Sequence, residues 1–134
     1  MNMQRIGSSA PLHSTAAGKL FLTNYSEDQL QAYLMTAPLA RFTEKTITTR
    51  EKLLKELDLI KNFGFSVDNE ENEDGIKCIA YQIRNISGKV VSCISTTGPA
   101  FRITAKWSVD KQQYLANAAQ KILDELSKLG HFNI

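Results

Sequence analysis

Apolar residues recur at helical spacing in some stretches of the chain and alternate in others, and this change of period sets the expected order of elements. Residues 14–23 (STAAGKLFLT) predict a short helix, with Ser14 or Thr15 as N-cap, small residues next, and Leu20, Phe21 and Leu22 after them. A second helix is expected from Ser26, because Ser26-Glu27-Asp28-Gln29 has capping-box spacing and Tyr25 and Leu30 sit where a hydrophobic staple would. Leu30, Tyr33 and Leu34 give its stripe, and Pro38 lies past its end. A third is expected after Thr48, again with capping-box spacing to Glu51; Leu53, Leu54, Leu57 and Ile60 form its apolar face and Gly64 its stop. The pattern then shortens. Phe65-Ser66-Val67 is strand-like, and 76–84 and 89–97 read as two strands rich in Ile, Val, Tyr and Thr, joined by a turn at 85–88. Gly98-Pro99 is expected to break the second of these. Residues 41–47 are a further strand candidate. The last helix should run from near Thr104 to Leu129 on the stripe Leu115, Ala118, Ala119, Ile122, Leu123, Leu126 and Leu129, with Gly130 as its stop.

Hairpin-joined strands among helices predict an α+β fold, an antiparallel sheet with helices packed on it. The chain has 134 residues, one domain's worth, and its hydrophobic (43%) and charged (22%) fractions are those of an ordinary soluble globule. This excludes a disordered tail, a collagen-like rod and a coiled coil. No apolar run approaches the ~18 residues of a membrane span, and the first residues lack the apolar core of a secretory signal. The first fourteen residues, rich in Ser, Gly and Pro, look like the entry to a domain. Sixteen basic against fourteen acidic residues give a charge of only +2, without the clustered basic excess of a nucleic-acid-binding domain. Two cysteines, Cys78 and Cys93, read as reduced thiols of a cytoplasmic protein.

Several chemical motifs fail on spacing. Gly18-Lys19 is no phosphate loop, because His13 stands where its first glycine is required and Leu20 where Ser or Thr is. Gly18 is instead expected to admit close packing, and Lys19 to snorkel outward. The acidic run 68–74 (DNEENED) is no calcium loop, since Glu73 occupies the glycine position. It is expected to be a solvated loop, with Asp68 set apart by following Val67 directly. Asn24 and Asn85 head glycosylation triplets that a cytoplasmic chain would leave unmodified. Cys78 with His13 could form a nucleophile and base, but no hydrolase signature surrounds Cys78, and two His with two Cys lack the paired spacing of a zinc site.

One arrangement is less easily assigned to packing. Alternation puts Val91, Cys93, Ser95 and Thr97 on one face of their strand, with Cys78 on the preceding strand. Small hydroxyl and thiol groups leave room and offer hydrogen bonds, as a ligand pocket requires; the competing reading is that Ser95 and Thr97 face water. The helix opening Ser14-Thr15-Ala16-Ala17-Gly18 would complement such a patch, because small residues let a carboxylate approach first-turn N–H groups.

The segments PLHSTAAGK (11–19), RFTEKTITT (41–49), VDNEENEDGIKCIA (67–80), ISTTGP (94–99) and RIT (102–104) occur in the order and spacing of the C-terminal effector-binding domain of IclR-type bacterial transcriptional regulators. The resemblance runs from about Gly7 to Leu129. It implies a GAF-like antiparallel sheet flanked by helices with a long C-terminal helix, so that 1–134 is a single effector-binding domain. In such regulators operator DNA is bound by an N-terminal winged helix-turn-helix, for which this chain has no room. By the same resemblance the pocket is lined by Ala16, Ala17, Asp68, Ile76, Cys78, Ser95 and Thr97, and upstream residues contribute to its rim. Family members often carry an apolar residue at the place of Thr96 and an acidic one at that of Asn69. The implied partners are a small organic acid effector and further copies of the chain, as dimers or tetramers, with no membrane, metal or cofactor.

The leading expectation is therefore a sensor without covalent chemistry. The acid's carboxylate would rest on the first helix and on Ser95, Thr97 and Cys78, with Asp68 accepting a hydrogen bond from a ligand hydroxyl or hydrate, since an ionised Asp68 repels a bare carboxylate. The alternatives are a GAF-like enzyme using Cys78 as a redox or nucleophilic thiol, and an oligomerisation module with a vestigial cavity.

Overall fold

A computed structural model describes residues 9–130. The expected entry segment and the start of the family resemblance at Gly7 fall largely outside them. The elements run α1 (Ala16–Leu22), α2 (Glu27–Thr36), α3 (Arg50–Phe63), β1 (Phe65–Asn69), β2 (Ile76–Arg84), β3 (Val90–Pro99) and α4 (Ala105–Lys128). The three strands form one antiparallel sheet in the order β1-β2-β3. The α+β expectation holds, as does the long C-terminal helix.

Directly paired residues of antiparallel strands share a face, and the sheet has two distinct ones. Ala80 joins Ala16, Leu20, Leu22, Leu53, Leu57 and Ile60 in a core between the sheet and α1–α3, with Cys78 and Cys93 packed against it. On the opposite face Ile83 packs with Ala119 of α4, bordered by Tyr81, Ile94, Leu123 and Leu126. Chain alternation thus sends one set of strand residues to the short helices and the other to α4.

Capping chemistry sets most helix starts. Ser26 and Gln29 form the reciprocal capping box, and Thr15 and Thr104 accept from the N–H groups of Gly18 and Trp107. The third helix differs from expectation: Thr49, not Thr48, is its N-cap. The Thr48 hydroxyl is occupied elsewhere, accepting from the Arg41 guanidinium at 3.1 Å. Gly64 ends α3 with φ of 80°, a left-handed conformation that favours glycine.

Two other expectations are corrected. Residues 41–47 form a turn rather than a strand. Arg41 donates to the carbonyls of Thr43 and Glu44, and Thr46 Oγ1 accepts from the N–H groups of Phe42 and Thr43, so local side-chain bonds replace a ladder. β3 does not break at Gly98-Pro99: Gly98 pairs with Lys77 and Pro99 with Ile76. Proline is tolerated because β3 is an edge strand of the described sheet and Pro99 is its last residue. A register shift between Ile83 and Arg84 pairs Arg84 with Val90. The bulge leaves Val91 without a directly paired partner; Val90 is buried (2% exposed) and Val91 is 38% exposed. Asn24 seals this point by donating to Val90 O at 2.7 Å and accepting from Val90 N at 2.8 Å, a structural use for the residue heading the first glycosylation triplet.

Candidate functional site

The antiparallel register builds the site. Asp68 of β1 lies opposite Cys78 of β2, which lies opposite Thr97 of β3, while Ala80 lies between Ser66 and Ser95. These two rows share the face turned to α1. The first turn of α1 brings Thr15, Ala16 and Ala17 over the row of Asp68, Cys78 and Thr97. The result is a cavity of about 100 Å3 lined by Thr15, Ala16, Ala17, Asp68, Asn72, Glu73, Ile76, Cys78, Ser95 and Thr97. All seven residues anticipated from the sequence line this one space. Thr15, Asn72 and Glu73 were not anticipated. The sequence pattern marks Thr15 as a candidate cap within the small helix opening, and Asn72 and Glu73 as part of a solvated loop.

The cavity has a deep end and an open end. Asp68 is 6% exposed and forms the deep end. Ser95 and Thr97 line the cavity yet remain exposed, because β3 is the sheet edge. Both sequence readings of these hydroxyls therefore hold together: they line the cavity and also meet water.

The acidic loop is far from being wholly solvated. Glu71 is 4% exposed and its carboxylate accepts from Lys19 Nζ at 2.8 Å and from the Asn69 N–H at 2.8 Å. Thr43 and Thr46 donate to the carbonyls of Glu70 and Glu71, both at 2.6 Å, and Ser14 donates to Asn72 Oδ1 at 2.9 Å. The turn at 41–47 and the entry to α1 thus strap the loop that carries the floor of the cavity. Lys19 does not snorkel outward: it is fully buried, and its ammonium donates to Glu56, Glu71 and Val67 O at 2.7–2.9 Å. The physical reason is that two carboxylates and a backbone carbonyl converge on the ammonium and offset the cost of burying it.

Part of the expected anion site on α1 is already occupied. The Gly18 N–H donates to Thr15 Oγ1 at 3.1 Å and the Lys19 N–H to Thr15 O at 3.0 Å. What α1 contributes to the cavity is chiefly the small size of Ala16 and Ala17. His13 is no base for Cys78 through Nε2, which lies 2.8 Å from Ala40 O, and its ring packs by Phe42. Burial pushes the Cys78 thiol up from its ordinary value, more than the hydroxyls of Thr97 and Ser95 pull it down. At neutral pH it is a thiol that can donate a hydrogen bond, not a nucleophilic thiolate.

Asp68 is likewise displaced upward from a normal carboxylate. Burial raises it to about 6, aided by the Glu71 charge and opposed by the Glu71 N–H, which donates to Oδ1 at 2.8 Å, and by the Lys19 charge. A carboxyl group that holds its proton more tightly when folded loses stabilisation as pH rises from its unfolded value near 4 to about 6. Asp68→Asn keeps the acceptor for the Glu71 N–H and removes that penalty. Thermal unfolding should show the variant gaining stability over the parent by a few degrees at pH 8, with the gain shrinking towards pH 4.5. An equal difference at both pH values would reject the assignment.

A larger groove of about 730 Å3 lies along the other face of β1, beside α3, with Leu59, Phe63, Phe65, Val67 and Lys77 among its walls. None of the seven anticipated residues lines it. Two of its basic groups are engaged, Arg41 with carbonyls and Lys45 with Glu70. Convergent small polar groups distinguish the smaller cavity from this groove.

Known proteins share this architecture. The family described as bacterial transcriptional regulator IclR C-terminal matches residues 1–124. The HTH-type transcriptional repressor AllR of Escherichia coli strain K12 is 34% identical over 126 residues, 94% of this chain and 46% of that protein. The chain thus spans under half the length of such curated relatives. The crystal structure of the C-terminal domain of the E. coli transcriptional regulator KdgR is 35% identical, with a TM-score of 0.78 over 87% of this chain and 71% of that one. The crystal structure of Thermotoga maritima IclR is 34% identical, with a TM-score of 0.77 over 92% of this chain and 53% of that one.

Proposed function

The chain belongs to the IclR family of bacterial transcriptional regulators, matching their C-terminal region, and from that premise we propose that it is a single sensing domain that binds a small organic acid and thereby modulates DNA binding by a longer regulator. The observation that carries this reading is the convergence of Asp68, Cys78, Ser95 and Thr97 with the small first turn of α1 around one cavity. The volume, about 100 Å3, is below the ~300–1,000 Å3 usual for drug-sized ligands and suits an acid of a few carbons. The ligand's carboxylate accepts from the Ser95 and Thr97 hydroxyls and the Cys78 thiol, and Asp68 meets its hydroxyl or carbonyl end. Binding acts on operator affinity only through a difference in preference between arrangements of the assembled regulator, which we take to be a dimer or tetramer reaching DNA through a separate domain.

Ligand recognition needs no bond-making step, and the protonated Cys78 thiol supports sensing over catalysis. Among the described residues no helix is long and apolar enough to cross a membrane.

A thermal-shift panel of small keto, hydroxy and aromatic acids tests the reading. An acid present at 100 times its dissociation constant stabilises by about 2.7 kcal/mol. Ser95→Ala with Thr97→Val should then weaken calorimetric affinity while leaving the fold intact. Losing two hydrogen bonds to a charged group costs at most about 3–6 kcal/mol, less where water substitutes at this open rim. A panel without any stabilising acid favours the oligomerisation module, and unchanged affinity in the double variant removes these hydroxyls from the site.

A further inference from the structure

The charges around the cavity are unusual for a site that takes an acid. Among the described residues no lysine, arginine or histidine lines it, whereas two carboxylates, Asp68 and Glu73, do. The nearby cation, Lys19, has its ammonium committed to Glu56, Glu71 and the Val67 carbonyl. One ammonium therefore stands against the carboxylates of Glu56, Glu71 and Asp68, and the cluster is already negative before any ligand enters. The groups that face Asp68 from the packed elements are Lys19 of α1, Glu71 and Glu73 of the loop, and Cys78 of β2, while β3 offers only uncharged Ser95 and Thr97. Glu56 of α3 acts through Lys19.

Asp68 and Thr97 sit one strand apart on either side of Cys78, so about 10 Å of backbone spacing separates them. A small acid resting between them holds its carboxylate a few ångströms from Asp68, with no cation of the described residues lining the space between the two. We infer that an acid enters this cavity together with a proton carried by Asp68, whose carboxyl meets the ligand's hydroxyl or carbonyl end, so that the site accepts monoanions and rejects dianions. Asp68 is then a specificity-determining residue: its protonated oxygen donates to the ligand, and Oδ1 keeps the Glu71 N–H. Burial has already brought this group to about 6, within reach of a second negative charge that carries it past neutrality. The inference rests on the proposed ligand site and adds its charge rule.

The test uses the full 134-residue chain with lactate as monoanion, malonate as dianion and lactamide as neutral probe. Calorimetry at pH 7.5 in phosphate and in Tris, buffers of different ionisation enthalpy, counts the protons taken up. Lactate should bind with uptake approaching one proton per site, and its affinity should fall about tenfold per pH unit between the free and the bound titration of Asp68. Malonate should bind at least tenfold more weakly than lactate, and lactamide should bind without proton uptake. Asp68→Asn, whose amide donates without a proton, should retain lactate binding and lose both the uptake and the pH slope. Lactate binding with no uptake, or with one affinity from pH 6 to 8.5, overturns the inference and leaves the ligand site standing. Malonate binding as tightly as lactate does the same. Failure of lactate and lactamide alike to bind at any pH overturns both.

Discussion

Lys19→Met should lower the free energy of unfolding by about 3–5 kcal/mol, the usual consequence of removing one partner from a buried ion pair. The Lys19 side chain is fully buried, and its ammonium is the shared partner of Glu56 at 2.9 Å and Glu71 at 2.8 Å. Methionine fills similar space and leaves Glu71, 4% exposed, without its cation. For a chain of this size the loss corresponds to a fall in melting temperature of roughly 10–20 °C. Total stabilities are only ~5–15 kcal/mol, so the variant will stand near the limit of folding. Urea denaturation measures the loss. Adding Glu71→Gln to Lys19→Met should return part of the stability, because the stranded charge is gone and the amide can still accept from the Asn69 N–H. A loss under 1 kcal/mol would mean that Lys19 reaches water, as its side chain does on most helices.

Gly18→Ala should be destabilising by more than about 3 kcal/mol, against the sign that helix propensity alone gives. Alanine in a helix interior is favoured over glycine by roughly 1 kcal/mol. Here the added Cβ would stand 2.5 Å from Leu12 Cα and from Thr15 Oγ1, and 2.6 Å from Leu12 O. Two of those atoms are backbone and cannot swing aside, and the third is the hydroxyl that caps α1. Overpacking and loss of the cap both oppose folding. The displaced helix would also shift Ala16 and Ala17, so any ligand binding should weaken in parallel. Chemical denaturation of the purified variant checks the sign, and a neutral or stabilised protein would refute the tight approach of α1 to the segment before it.

Both effects start from adjacent residues, and they show where sequence reading stops. Gly18 was legible as a close-packing glycine because its neighbours are small. Lys19 was not, because the carboxylates that hold it lie 37 and 52 positions away and no local period reports them. Glu71 was hidden for the same reason, inside a run of acidic residues whose composition signals solvent.

The strand pair and the four helices followed from hydrophobic period and capping residues, which are local properties. So did the shared face of Ser95 and Thr97, since alternation assigns it before any tertiary contact exists; Cys78 joined them through the strand register, and the order of short motifs pointed to the same set. Three-dimensional packing alone decided the rest. It turned 41–47 from a strand into a strap for the acidic loop, carried β3 through Gly98-Pro99 at the sheet edge, inserted the bulge at Val91, and turned Lys19 inward. Each depends on which distant groups arrive to satisfy a backbone or a charge, and a local pattern holds no record of that.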